Sequence, residues 1–207
     1  MKKSLLLVSA FALLFGVTQQ ANAAGSTGSN GGYYWTLYYE GPTCSISFPS
    51  GSGNFKITWP SGISDCIGGK GWSTGSTRTI NYNLGSISGY HSFGAYGWTT
   101  SPLIEYYVTE LGSNGGTKVN TVSSDGHTYT FYKQQRVNAP SIQGTKTFWQ
   151  YKDSWGGSST GSNRKITMST HINNWKSKGG QGFGSYNVQI LFCEAFSGPG
   201  SVNATVW

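Results

Sequence analysis

Trp98-Thr-Thr-Ser-Pro-Leu-Ile-Glu-Tyr-Tyr-Val108 is an aromatic and β-branched run, a composition that prefers an extended, pleated backbone. Side chains on a strand alternate between its two faces. Ile104, Tyr106 and Val108 therefore share one face, suited to a core, while Leu103, Glu105 and Tyr107 share the other. Glu105 is the one charge in the stretch. A glutamate that faces water or pairs with a lysine is the plain alternative, since solvated sheet faces carry charges.

Tyr186-Asn-Val-Gln-Ile-Leu-Phe-Cys-Glu-Ala-Phe196 has the same character, and Glu194 is its single charge. Ile190, Phe192, Glu194 and Phe196 fall on one face, and Leu191, Cys193 and Ala195 on the other. The whole chain holds only seven acids: Glu40, Asp65, Glu105, Glu110, Asp125, Asp153 and Glu194. Placing a carboxylate in an apolar strand is costly unless it is paired or used. Two carboxylates flanking one bond is what glycoside hydrolysis requires.

Residues 1–23 have the form of a secretory signal. Lys2 and Lys3 make the positive region, Leu5 to Val17 the apolar region, and Ala21-Asn-Ala23 a small-x-small cleavage site. No other stretch is long and apolar enough to cross a bilayer, so a secreted, extracellular protein with no membrane partner is expected. The remaining length fits one domain with a sizeable core.

Only 10% of residues are charged, against 15% aromatic and 31 glycines in 207 residues. Such a chain, rich also in Ser, Thr and Asn, reads as all-β with many turns. Aromatic faces stack on the apolar faces of sugars, and neutral polar groups bond to hydroxyls, so the composition also suits a carbohydrate handler. The formal charge of +7 is scattered, without a basic block. A nucleic-acid partner would need a clustered basic face and is not expected. Cys44, Cys66 and Cys193 allow at most one intramolecular bridge. Alternation sends Cys193 and Cys66 toward the core, which leaves Cys66–Cys193 and Cys66–Cys44 both open. Their spacing does not resemble a zinc site, and His91, His127 and His171 read as surface or helix packing. No metal or cofactor is expected.

Residues 24–32, Ala-Gly-Ser-Thr-Gly-Ser-Asn-Gly-Gly, read as a flexible leader. Strand-like segments then follow over 33–39, 44–48, 54–59, 77–83, 94–98, 103–110, 119–123, 127–136, 145–152, 164–168, 187–196 and 201–207. Turn residues such as Pro-Ser-Gly-Ser-Gly at 49–53 and Ser-Asp-Gly at 124–126 separate them. Regular short strands of this kind predict a sandwich or barrel. Ser169–Gly179 breaks the pattern: Ile172 and Trp175 are three apart, Ser169 or Thr170 caps the start and Gly179 ends it. One short helix is expected there, and the Gly/Ser/Asn run 156–163 is expected to be a loop.

Taken together, Tyr96-Gly-Trp98 with Pro102-Leu-Ile-Glu-Tyr-Tyr-Val108, Gly69-Lys-Gly-Trp72, Arg78-Thr-Ile-Asn-Tyr82, Arg136-Val-Asn-Ala-Pro-Ser-Ile142 and Asn187-Val-Gln-Ile190 with Glu194 resemble, in order, the motifs of glycoside hydrolase family 11, the small endo-β-1,4-xylanases. The resemblance covers residues 33–207. It implies a catalytic domain with a β-jelly-roll fold: two twisted, mainly antiparallel sheets, one bent into a cleft for the xylan chain, with a single helix. It implies a monomer whose partner is xylan polysaccharide.

By the same resemblance Glu105 is the nucleophile and Glu194 the acid/base of a retaining reaction, the two residues already reached from strand faces. Tyr96, Tyr107, Arg136 and Gln150 match groups that contact the sugar and the nucleophile. Pro140, Ser141 and Ile142, closed by Gly144, match the thumb loop over the cleft. Tyr38 stands where the family usually has a stacking tryptophan, Val188 and Phe196 where tyrosine is common. Asp65 matches the residue lying against the acid/base, and members with aspartate there tend toward acid pH. Ionised Asp65 would accept a hydrogen bond from protonated Glu194, and the two would titrate as a pair; a salt bridge from Asp65 to Lys70 is the bland alternative. An endo-β-1,4-glucanase on a related jelly roll and a non-catalytic xylan-binding protein are the competing functions.

Overall fold

The computed structural model describes residues 23–157 and 160–207. The expected signal peptide lies outside the described residues except for Ala23. Fourteen strands and one helix follow one another: β1 (Ala23–Asn30), β2 (Tyr33–Glu40), β3 (Ser45–Ser47), β4 (Asn54–Trp59), β5 (Asp65–Trp72), β6 (Thr79–Ser88), β7 (Ser92–Thr100), β8 (Ile104–Gly112), β9 (Thr117–Ser124), β10 (His127–Ala139), β11 (Lys146–Gly157), β12 (Gly161–Thr167), α1 (Met168–Lys178), β13 (Ser185–Ala195) and β14 (Gly200–Val206). The larger sheet runs β1-β2-β5-β13-β7-β8-β11-β10-β9 and the smaller β12-β6-β14-β4-β3. Pairing is antiparallel except between β8 and β11. This is the two-sheet, one-helix jelly roll the motifs implied.

Between the sheets lies a core that includes Ile104, Tyr106 and Val108 of β8 and Leu191, Cys193 and Ala195 of β13. The opposite face of the large sheet carries a second cluster with Tyr107, Ile190 and Phe192. Both strands thus divide their side chains as alternation predicts. Burying each large apolar side chain contributes roughly 1.5–3 kcal/mol, so a one-residue slip would exchange core and cleft faces at prohibitive cost.

Four local readings are corrected. Residues 23–30 are not a flexible leader: they form edge strand β1, paired along its length with β2, from Ala23↔Glu40 to Asn30↔Tyr33. Their Gly/Ser/Asn composition lacks strand preference, and the exposed edge of β2 supplies the hydrogen-bond template instead. Strand β5 was not expected either, because Gly68, Gly69 and Gly71 dilute its pattern. Those glycines let β13 approach: a Cβ on Gly69 would stand 1.8 Å from the Leu191 carbonyl oxygen. The run 156–163 is largely strand ends rather than loop, since β11 reaches Gly157 and β12 starts at Gly161. The N-cap of α1 is Thr167, not Ser169 or Thr170, and it makes no side-chain cap bond. Thr167 is instead held by Asp125, which accepts from its amide at 2.7 Å and from its hydroxyl at 2.8 Å.

Gly179 closes the helix as expected, its amide donating to the Trp175 carbonyl at 2.8 Å. Ile172 and Trp175 are fully buried. Asp153 of β11 ties the helix to the large sheet, accepting from Trp175 Nε1 at 3.0 Å and lying 2.7 Å from His171 Nδ1. The disulfide left open by the sequence joins Cys44 to Cys66, with Cα atoms 6.5 Å apart. Cys193 is free and buried, facing the core as alternation required.

Candidate active site

The second face of the large sheet lines a cleft of about 740 Å³. Every residue singled out for a site in the sequence is on its wall: Tyr38, Asp65, Tyr96, Glu105, Tyr107, Arg136, Pro140, Ser141, Ile142, Gln150 and Glu194. Four of the chain's seven acids are among the lining residues, the fourth being Glu40.

Glu105 is only 7% exposed, yet its carboxylate is fully provided for. Tyr96 and Tyr107 donate to Oε1 at 2.8 and 3.0 Å, and Gln150 Nε2 donates to Oε2 at 2.6 Å. Each donor is delivered by the sheet. Tyr107 is two residues along the same face, Tyr96 of β7 is cross-strand from Tyr107, and Gln150 of β11 stands opposite Glu105. Trp98 Nε1 donates to the Tyr96 hydroxyl at 2.5 Å, which directs that hydroxyl's own proton toward Glu105. Burial pushes the Glu105 carboxyl above its ordinary value, and the three donors and the positive charge of Arg136 oppose that rise.

Glu194 is 6% exposed and far less served. Ser92 Oγ donates to its Oε2 at 3.1 Å, from the position paired with Glu194 across β7 and β13. Burial, together with the charges of Asp65 and Glu105, pushes Glu194 up to about 8, against the opposing pull of Ser92 and Lys152. Burial raises both glutamates, but three donors and Arg136 oppose it at Glu105, whereas at Glu194 the charges of Asp65 and Glu105 add to it; the first is the better served to hold a negative charge, the second to hold a proton.

Asp65 of β5 faces the same cleft. Lys70, five residues on, points to the other face and donates to Asn30, Ser52 and Asn54, so the salt bridge with Asp65 does not form. The Asp65 partner across the strands is Glu40. Burial, then the charges of Glu40 and Glu105, push Asp65 up to about 7. Its Oδ1 is buried and receives no donor, which suits a carboxyl that keeps its own proton. Tyr38 donates to Glu40 Oε1 at 2.5 Å, so its ring is held against the β2 wall.

The thumb segment is braced from within. Ser141 Oγ donates to the Gly144 carbonyl at 2.6 Å and accepts from the Gln143 amide at 3.0 Å. Gly144 has φ +77, a conformation glycine adopts without strain. Ile142 is 41% exposed and presents an apolar tip to the cleft. Val188 is a buried part of the wall, whereas Phe196 is exposed and lies against His91, ring centroids 4.6 Å apart.

Sequence reasoning missed Ser92, Trp98, Glu40 and Lys152. Trp98, Lys152 and Glu40 were within reach of it, since each falls two residues from a named cleft residue on the same strand face. Ser92 was not, because only strand pairing sets it beside Glu194.

The family model described as "Glycosyl hydrolases family 11" matches residues 30–205. The protein named "Ethylene-inducing xylanase 1" of Botryotinia fuckeliana (strain B05.10) is 40% identical over 199 residues, 93% of this chain and 69% of that one. "Endo-1,4-beta-xylanase 2" of Rhizopus oryzae is 40% identical over 212 residues, 96% of this chain and 93% of that one. A solved structure, from a comparison of two major endo-1,4-beta-xylanases of Trichoderma reesei, superposes with a TM-score of 0.74 at 37% identity. It covers 89% of this chain and 99% of its own.

Proposed function

The chain belongs to glycosyl hydrolase family 11, and from that premise we propose that it is a secreted endo-1,4-β-xylanase that cleaves interior bonds of xylan with retention of configuration. The observation that carries the mechanism is the contrast between the two buried glutamates of the cleft: three donors on Glu105, one on Glu194. Xylan as substrate is supported by the relatives' names and by a cleft walled with Tyr38, Trp98 and Tyr107. Export is supported by the signal-like residues 1–23.

In the first step the Glu105 carboxylate attacks the anomeric carbon while Glu194 gives its proton to the departing glycosidic oxygen. The covalent sugar ester on Glu105 is the product. In the second step Glu194, now a carboxylate, takes a proton from water; the water oxygen displaces Glu105, and both carboxyls return to their starting states. Gln150, Tyr96 and Tyr107 hold Glu105 in place while its charge disappears and returns. The positive charge of Arg136 favours the ionised form of Glu105. Pro140–Ile142 close over the sugar. A reducing-sugar assay is expected to show release from xylan and little from cellulose. Comparable release from cellulose would favour a glucanase, and none from either a binding protein.

The pH dependence follows from three carboxyls. The productive state has Glu105 ionised and Glu194 protonated. Glu105 is raised above its ordinary value, so the rate falls as pH drops through that raised value. Asp65, about 7, and Glu194, about 8, lose their protons as a coupled pair. While Asp65 keeps its proton, Glu194 is the stronger acid. Once Asp65 ionises, its charge holds the proton on Glu194 and slows protonation of the leaving group. kcat/KM is therefore expected to decline as pH rises through about 7, giving an optimum on the acid side despite a sequence pI of about 9.3. Asp65→Asn removes the group that titrates first and is expected to move the alkaline limb upward. A wild-type profile peaking above neutrality, or one unmoved by Asp65→Asn, would exclude this role for Asp65.

A further inference from the structure

One cation in the cleft makes no hydrogen bond to either catalytic glutamate and acts on Glu194 only through space. Lys152 of β11 is 7% exposed and lies two residues beyond Gln150 on the face that carries it. Its Nζ donates to Gln134 Oε1 at 2.8 Å. Among the described residues it has no carboxylate within ion-pair distance, nor has Arg136 on the neighbouring strand β10. Glu105 and Glu194 are served by neutral donors instead: tyrosines, a glutamine and a serine. An ammonium has three protons to donate, and Gln134 takes one.

Burying a lysine with no carboxylate bonded to it is costly, and burial lowers its hold on the proton despite the more distant charges of Glu105 and Glu194, which raise it. A neutral polymer of xylose has only hydroxyls to offer, and neutral side chains bond those without this cost.

The surroundings are polarised in a matching way. The β2–β5 wall carries the acids Glu40 and Asp65, and the β10–β11 wall carries the cations Arg136 and Lys152. Near Lys152 the lining is Gln134, Asn114 and His91. Flat faces lie at Tyr38 and Trp98 on other strands; on β11 the aromatic lining residue is Phe148, four residues from Lys152 and packed on Trp98 with ring centroids 4.9 Å apart. Recognition at Lys152 itself is therefore by charge and hydrogen bond rather than by stacking on the sugar ring.

Resting on the reading of this cleft as the xylan site, we propose that Lys152, with Arg136 further along the same wall, forms a subsite for the carboxylate of a uronic acid branch on the xylan chain. A charge-assisted bond from Nζ to that carboxylate supplies the bonded counter-ion the lysine lacks, and the charge of Glu40 on the opposite wall sets the branch's direction by repulsion. The enzyme would thus prefer acidic xylan to the neutral polymer and tolerate the branch where it faces β11.

The test compares two substrates of the same shape: xylan bearing uronic acid branches, and the same polymer with those carboxyls reduced to primary alcohols. Wild-type kcat/KM is expected to be about fivefold or more higher on the acidic polymer, chiefly through KM, with the advantage shrinking as salt is raised. Lys152→Gln should bring the ratio of the two substrates to near one, whatever it does to the rate on either alone. Lys152→Arg, which keeps the charge, should retain most of it. Equal wild-type rates on the two polymers would overturn the proposal, as would a ratio that survives Lys152→Gln. Absence of hydrolysis on both polymers would overturn the xylanase reading itself, and the subsite with it.

Discussion

Replacing Glu105 with glutamine is expected to reduce kcat/KM on xylan by on the order of 10⁴-fold or more, the scale of losing a covalent nucleophile. Glutamine has nearly the volume and shape of glutamate, so the fold should persist. The amide cannot form the glycosyl ester, and it places an NH₂ group among donors that were arranged around a carboxylate. Tyr96, Tyr107 and Gln150 all point protons at this side chain, so one of them must turn away or go unpaired. The same substitution removes a negative charge that helps raise Glu194 and Asp65. The apparent pKa of Glu194, followed by carboxyl NMR in the variant, should therefore fall below its value of about 8 in the parent. Near-normal turnover of xylan by this variant would remove Glu105 as the nucleophile.

Glu194→Gln is expected to cost roughly 10²–10⁴-fold on xylan, the range attributed to a positioned proton donor. Its signature is the dependence on leaving group. A xylosyl leaving group departs as a poor alkoxide unless protonated, whereas an activated aryl xyloside departs unaided. The first step on an aryl xyloside should then survive, while the second step, which needs Glu194 as base, should become limiting. Glycosyl-enzyme should accumulate on Glu105, visible as an initial burst of phenol and as added mass on the intact protein. A small external nucleophile such as azide should restore turnover by replacing the water that Glu194 no longer activates. Equal losses on xylan and on the aryl xyloside, with no burst, would assign the proton transfer to another residue. Bonding distinguishes this carboxyl from Glu105: a single donor, Ser92 at 3.1 Å, leaves burial and the charges of Asp65 and Glu105 less opposed than burial is at Glu105, which is why the proton stays.

Strand periodicity carried much of this architecture. Alternation in the two glutamate-bearing strands placed Ile104, Tyr106 and Val108 inside and Glu105 and Tyr107 in the cleft, and likewise separated Cys193 from Glu194. Period-two patterning is local, and the cost of burying the wrong face enforces it wherever one face meets a core. The helix was legible for a similar reason: Ile172 and Trp175 mark one side of a turn and Gly179 its end. Segments whose structure is imposed from outside were not legible. Strand β1 has no apolar pattern and is extended because β2 offers an unpaired edge. Strand β5 is glycine-rich because β13 lies so close that a side chain at Gly69 has no room.

By itself, then, the sequence determined the class of fold, the two strands that matter and the side chains they send to each face, because these depend on neighbours two residues away. Only the tertiary structure decided which strands lie side by side, and with them the disulfide of Cys44 with Cys66 rather than Cys193. Strand order also brings Gln150 opposite Glu105, Ser92 opposite Glu194 and Glu40 opposite Asp65. The protonation of each carboxyl follows from those juxtapositions, since burial and the electrostatic field of nearby charges act through space between groups far apart along the chain, 45 residues for Gln150 and Glu105 and 102 for Ser92 and Glu194.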